Sequence, residues 1–486
     1  MGLTAVILLL LPVSVDLAKG DLTQNAGLDL TAGGNDLLPG TGISFVNHVW
    51  TGDGTRLNMG TYYIRNVADG SGFTLDLANG SITNGGLLGT TQNGQPGSII
   101  ATNVSGVDVS GISTVCSNDG AAWTVGSVIV TGQDSGSLNV GPSGVQTYYT
   151  RGGNSGRAGD VYLQYFNSVT IGGSVGAWQG QRYSGSISIG TPAHPIGGAI
   201  TVNGAVATFS GSAEEAQGAP ISLYANGPVS VGELRSAISR SLNAQNAGCA
   251  ITVSCRGAFN CGGITNGVDR NAALTSVSIN GTDSSGAFAS GAIDAHRTCF
   301  QGGAGTPVSI TNFASVTING DIRTDVSACY QGPWSGGNLT VSNITGNVTI
   351  AGSIDLRGAR ENAGYSLPTH GNLNLSSSKS VTLSGLDMGK INVAMLDLGT
   401  KGTITSNLTS FVTNWVSGGG TVASPYVTTQ QMLRVSSGKR LYYNKNASTN
   451  SYLDGKTYQL ADLAGVAGNG GLLTPTLSKG TVYIVH

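Results

Sequence analysis

The sequence predicts an all-β chain wound as a right-handed parallel β-helix, a β-solenoid with corner insertions and terminal caps. Three observations carry that reading. Pairs of short apolar triplets of the Val-Thr-Ile kind recur, each pair closing on glycine. Glycine occurs 77 times without a Gly-X-Y period, which asks for many tight turns rather than a collagen helix. Charged residues are only 10% of the chain against about 25% in ordinary globular domains, so solubility rests on Ser, Thr, Asn and backbone polarity.

The triplet pairs are clearest in the second half. Val308-Ser-Ile310 precedes Val316-Thr-Ile318-Asn-Gly320, Leu339-Thr-Val341 precedes Val348-Thr-Ile350-Ala-Gly352, and Leu373-Asn-Leu375 precedes Val381-Thr-Leu383-Ser-Gly385. Upstream copies are Ile221-Ser-Leu223 with Val229-Ser-Val231, Val161-Tyr-Leu163 with Val169-Thr-Ile171, and Ile99 with Val107-Asp-Val109. Val277-Ser-Ile279-Asn-Gly281 reads as a second strand alone.

Alternation puts both apolar side chains of a triplet on one face. One triplet cannot bury that face, but copies stacked in register can, with ladder hydrogen bonds running between coils. Copies recur after 31 residues (308 to 339) and 34 (339 to 373), yet after 60 from 161 to 221, so insertions are expected to bulge from one or more corners. Such loops on a constant core are the expected functional surface.

Over about residues 60–390 this repeat style resembles the right-handed parallel β-helix superfamily, the pectin-lyase-like solenoids of secreted polysaccharide enzymes, phage tailspikes and bacterial surface proteins. Repeat style, not a catalytic motif, carries the resemblance. A Greek-key sandwich and a β-propeller are the competing architectures, the propeller being disfavoured by uneven spacing.

Taken in order, residues 1–20 read as a signal peptide: the apolar run 5–11 is too short to span a bilayer, and Ala18-Lys19-Gly20 offers a cleavage site, although a basic n-region is lacking. Residues 21–60 lack the module and read as an N-terminal cap, 61–390 as the solenoid, and 391–486 as its C-terminal end with a cap or accessory β region. Helix is scarce; Gly232–Gln245 places Leu234, Ile238 and Leu242 four apart, which suits one short helix, with a strand over 233–238 as the alternative. The expectation is a secreted or cell-surface bacterial protein without a transmembrane segment in the mature chain.

A formal charge of −2, from 23 basic and 25 acidic residues, supplies no field for nucleic acid. No P-loop, dinucleotide fingerprint, nucleophile elbow or zincin helix is present, and no cofactor is called for. Gly33-Gly-Asn-Asp36 is a single fragment of a calcium-binding repeat; calcium is the one ion it raises, and no metal site is assigned.

Export would favour disulfides among Cys116, Cys249, Cys255, Cys261, Cys299 and Cys329. Thr298-Cys-Phe-Gln-Gly302 and Ala328-Cys-Tyr-Gln-Gly332 hold equivalent places, which would set Cys299 and Cys329 on adjacent coils within bonding range. Cys249-x5-Cys255-x5-Cys261 has no zinc spacing and reads as a stapled insert, or else as reduced inward thiols packing as small hydrophobes.

Charges gather after the glycine that ends the second strand: Glu233 and Arg235, Asp321, Arg323 and Asp325, Asp355, Arg357, Arg360 and Glu361. Lyases of the superfamily that the chain resembles use a basic residue near acidic ligands, and glycosidases use paired carboxylates. With Asp294 and His296, where a histidine sits beside a carboxylate, these give Asp294, His296, Arg323, Asp325, Asp355 and Arg357 as catalytic candidates. The competing reading is that opposite charges pair along a solvated face.

Trp178, Tyr183, Tyr330, Trp334 and Tyr365, with Phe259 and Phe300, would offer a platform for sugar rings if the inserts line up; closing loops over a core is the other use of such side chains. Two functions compete. One is a noncatalytic surface, matrix or adhesin-like rod that binds extracellular polysaccharide or copies of itself, and the other is a polysaccharide lyase or glycosidase working along the groove.

Overall fold

The computed structural model describes residues 73–77, 81–92, 97–116, 125–149, 157–179, 184–208, 218–236, 249–269, 275–299, 304–329, 333–352, 354–360 and 371, with short strands on either side of these. Among them the chain is all β, and its parallel strands stack as a β-solenoid. Because the stacked pairs are parallel, neither a Greek-key sandwich nor an antiparallel propeller blade describes it.

Three ladders run the length of the stack. In the first, successive Cα partners are Ile99, Val128, Val161, Ile187, Ile221, Ile251, Val277, Val308, Leu339 and Leu373. In the second they are Val107, Leu138, Val169, Ile200, Val229, Phe259, Phe288, Val316, Val348 and Val381. The third joins Ile112, Val145, Val175, Val206, Leu234, Ile264, Ile293, Ile322 and Ile354. From Ile99 to Leu373 in the first ladder, and wherever side chains are described in the others, these apolar residues form one buried cluster. Each is worth about 1.5–3 kcal/mol relative to exposure.

Three sequence expectations change here. The 60-residue gap from 161 to 221 is filled by a coil with strands at Ile187–Ile189 and Ile200–Ala207, so the array is more regular than the quoted triplets suggest. Val277–Gly281 belongs to the first ladder, and the second-ladder strand of its coil is Ala287–Ser290. Glu233–Arg235 ends the strand Val229–Arg235, as the alternative strand reading expects, rather than opening a helix; the remainder of the segment, 237–245, lies outside the described residues.

The turn from first to second ladder uses residues in the left-handed region, among them Asn312 at φ 62° and Asn343 at φ 57°, where asparagine is better tolerated than branched side chains. Asn312 Nδ2 donates to Asn280 Oδ1 at 2.6 Å, tying that corner to the coil beneath. Glycine serves a different corner. A Cβ on Gly159 would sit 2.1 Å from Gly126 O, and one on Gly185 would sit 1.9 Å from Gly159 O, so the backbones at the entrance to the first ladder touch directly.

At the N-terminal side Leu22–Thr23 pairs in parallel with Leu57–Asn58, which pairs with Ser81–Gln92. At the other side Met395–Leu398 and Met432–Val435 extend the first ladder before antiparallel pairing with Thr457–Gln459. The expected signal peptide, 1–20, lies outside the described residues.

Candidate functional site

Coil geometry fixes where the connecting segments emerge. The described residues 116, 149, 179, 208, 236, 269, 299 and 329 follow the third ladder or the short ladder beyond it, and 125, 157, 184, 218, 249, 275, 304 and 333 precede the first. These bounding residues meet at one corner of the stack, and the segments of 3 to 12 residues between them lie outside the described residues. An inward polar column closes their bases: Thr114 Oγ1 donates to Gly126 O at 2.7 Å, Thr147 to Gly159 O at 2.5 Å, Thr208 to Ala219 O at 2.8 Å and Thr324 to Gly337 O at 2.7 Å. These threonines escaped the sequence reading. Their signal is a threonine two residues after the third-ladder apolar residue, as in Val145-Gln-Thr147 and Ile322-Arg-Thr324.

Beside that corner, the six charged candidates come together on consecutive coils. Asp294, Arg323 and Asp355 are successive Cα partners. Two residues along each coil come His296, Asp325 and Arg357, forming a second column with Asp325 between the other two. Within each coil the two columns are bonded: His296 Nδ1 donates to Asp294 Oδ1 at 2.5 Å, Arg323 forks onto Asp325 at 3.1 and 3.2 Å, and Arg357 forks onto Asp355. Glu233 and Arg235 repeat the motif, with Thr265 between Arg235 and Asp294 in the column.

Burial separates otherwise similar carboxylates. Asp325 is 1% exposed, and its pKa is pushed up by burial and by the Asp355 charge, against the pull of Arg323. Asp294 is 40% exposed; burial works to raise its pKa, but the hydrogen bond and charge of His296, helped by Arg323, hold it below the usual carboxylate value. For Arg323 and Arg357, burial works against the charge, yet their aspartate partners raise both above the ordinary guanidinium value. The patch therefore holds a strongly ionised carboxylate beside histidine and a reluctantly ionised one beside arginine, a division that acid–base chemistry and simple ion pairing both accommodate.

Among the described residues, the aromatic candidates Trp178, Trp334 and Phe259 stand in separate places. Trp178 is half-buried at the departure corner, as Cα partner of Tyr148 on the preceding coil. Trp334 packs on Val326 and Ala359, pairing antiparallel with the latter. Phe259 belongs to the core, stacked on Phe288 at 5.2 Å. Tyr183, Phe300, Tyr330 and Tyr365 lie outside the described residues.

Cysteines also divide. Cys249, Cys255 and Cys261 are free and buried rather than stapling an insert; burial pushes their pKa values up to about 12, 12 and 11. Cys255 and Cys261 end core strands of the first and second ladders, where a thiol fills the place of a small apolar residue. Cys299 and Cys329 are Cα partners on adjacent parallel strands. The Gly33–Asp36 fragment meets a short strand at Asn35–Leu37 whose side chains lie outside the description.

A scan against protein-family models matches no family, and searches of curated proteins and of solved structures give no significant match. Among the described residues no helix is long and apolar enough to cross a membrane.

Proposed function

We propose that the chain is an exported, noncatalytic β-solenoid, a bacterial surface, matrix or adhesin-like rod that binds extracellular polysaccharide or copies of itself along its insert edge. The observation that carries this reading is the shared corner at which connecting segments leave and return. A repeated edge with variable segments suits a repeating polymer better than a small molecule, because each coil adds one more weak contact about 4.8 Å from the last. Extracytoplasmic oxidation would join Cys299 to Cys329, whose Cα register lies within the reach of a disulfide. The test is binding of the full chain to immobilised acidic and neutral polysaccharides, with sedimentation across concentrations for self-association. Retention that grows with polymer length, or reversible assembly, supports the reading; neither, under any condition, removes it.

A second reading is a polysaccharide lyase or glycosidase, favoured by the Asp294–His296 hydrogen bond one coil from buried Asp325. New reducing ends or unsaturated uronates after incubation, lost in His296→Ala and Asp325→Asn, would replace the noncatalytic reading with this one.

A further inference from the structure

Arg297 has an unusual place. It stands between Val268 and Val326 in a short parallel ladder beyond the third, and is 4% exposed. Its Nη1 donates to Ala304 O at 2.6 Å, while Nε and Nη2 are buried without a protein partner. A guanidinium keeps its charge under any ordinary condition, and an isolated buried charge costs several kcal/mol unless something neutralises it.

The four carboxylates of the charged patch each accept from another side chain. Asp294 receives His296, Asp325 receives Arg323, Asp355 receives Arg357 and Glu233 receives Arg235. The connecting segments 237–248, 270–274 and 300–303 contain no Asp or Glu, and Asp269, which follows Val268 on the neighbouring strand, is the register partner of Thr298 rather than of Arg297. Cys249 feels the Arg297 charge, but burial holds its pKa near 12, so it stays a neutral thiol. A water molecule would satisfy the two N–H groups without balancing their charge.

We propose that Arg297 is a buried binding site for a small monovalent inorganic anion, held by the Nε and Nη2 fork beneath the insert corner. The anion serves as the missing counter-charge and fastens the return segment at Ala304 to the stack. A monovalent anion fits better than a multiply charged oxyanion, whose extra charge would itself go unpaired.

The experiment uses the full chain in sodium gluconate, titrated with sodium chloride at fixed ionic strength. Wild type should gain thermal midpoint saturably, by roughly 2 °C at tenfold over the dissociation constant. Arg297→Met, which keeps the apolar stem, should show no chloride dependence. Equal dependence in both proteins, or none in wild type, overturns the site. Should Arg297→Met fail to fold, crystals of wild type soaked in bromide decide: an anomalous peak within hydrogen-bond distance of the guanidinium supports the proposal, and a peak-free guanidinium bonded only to water contradicts it.

Discussion

Asp294 and Arg323 are Cα partners on adjacent coils, and each also bonds within its own coil, Asp294 to His296 and Arg323 to Asp325. Asp325 and Asp355 each meet an arginine along the coil, and Asp294 and Asp355 both face Arg323 across to the next, so the patch contributes to coil register.

Removing Arg323 should be costly for Asp325 rather than for the lost surface contact. An orphaned, fully buried carboxylate costs about 3–5 kcal/mol, and because the Arg323 side chain is 39% exposed, returning water reduces the expected loss to about 1–3 kcal/mol for Arg323→Met. Urea unfolding measures it. Arg323→Met combined with Asp325→Asn should recover part of the loss; no recovery would separate the two side chains energetically.

The pH dependence should change sign within the acid range. Asp325, whose pKa is raised in the folded chain, weakens the fold above that raised value, so acidification toward the usual carboxylate pKa of 3.8 relieves a cost. Asp294, whose pKa is lowered, contributes stability above 3.8 that is lost as pH falls through its folded value. Asp325→Asn should remove the gain above 3.8, and Asp294→Asn should soften the loss below it, in urea midpoints followed against pH.

Glycine stacking predicts a position-specific penalty. Gly159→Ala forces a Cβ to within 2.1 Å of Gly126 O and should cost about 1–3 kcal/mol, whereas Gly106→Ala meets nothing nearer than 3.6 Å and should be neutral or mildly stabilising. Thermal midpoints compare the two directly; equal midpoints would contradict the close backbone approach.

Cys249, Cys255 and Cys261 should resist alkylation in the folded chain at pH 8 and react after denaturation, because both burial and pKa values near 12, 12 and 11 withhold the thiolate. Peptide mapping under non-reducing conditions should find Cys299 linked to Cys329 in exported material and these three unlinked. Labelling of Cys255 in the native chain would contradict its place at the end of a core strand.

How legible this was depended on strand length. Val308-Ser-Ile310 and Val316-Thr-Ile318 show period-two alternation, and both fall on the ladders expected of stacked triplets. The later strands of the third ladder are two residues long, as at Ile322–Arg323 and Ile354–Asp355, too short to show alternation by themselves. Val277 went to the wrong ladder because Val-Ser-Ile fits either face and only pairing with Val308 decides. Phe259 looked like loop decoration since the stacked β-branched residues give way there to two phenylalanines on neighbouring coils. The charged cluster was visible as a sequence grouping, but burial was not: Asp325 and Asp294 look alike until the coils are stacked. Arg297 was hidden further by a register shift between it and Thr298, which breaks the alternation that marks inward positions.

Coil-upon-coil stacking fixes the electron–electron distances between spin labels placed along one ladder. Ser188 connects to Ser309, Thr340 and Asn374 through successive Cα partners of the first ladder, four, five and six coils away. With Cys116, Cys299 and Cys329 replaced by serine, a label at Ser188→Cys paired in turn with Ser309→Cys, Thr340→Cys and Asn374→Cys should give backbone separations of about 19, 24 and 29 Å, rising by about 4.8 Å per coil. Separations that fail to rise in that order, or that jump by tens of ångströms between neighbouring sites, would contradict the stacked solenoid.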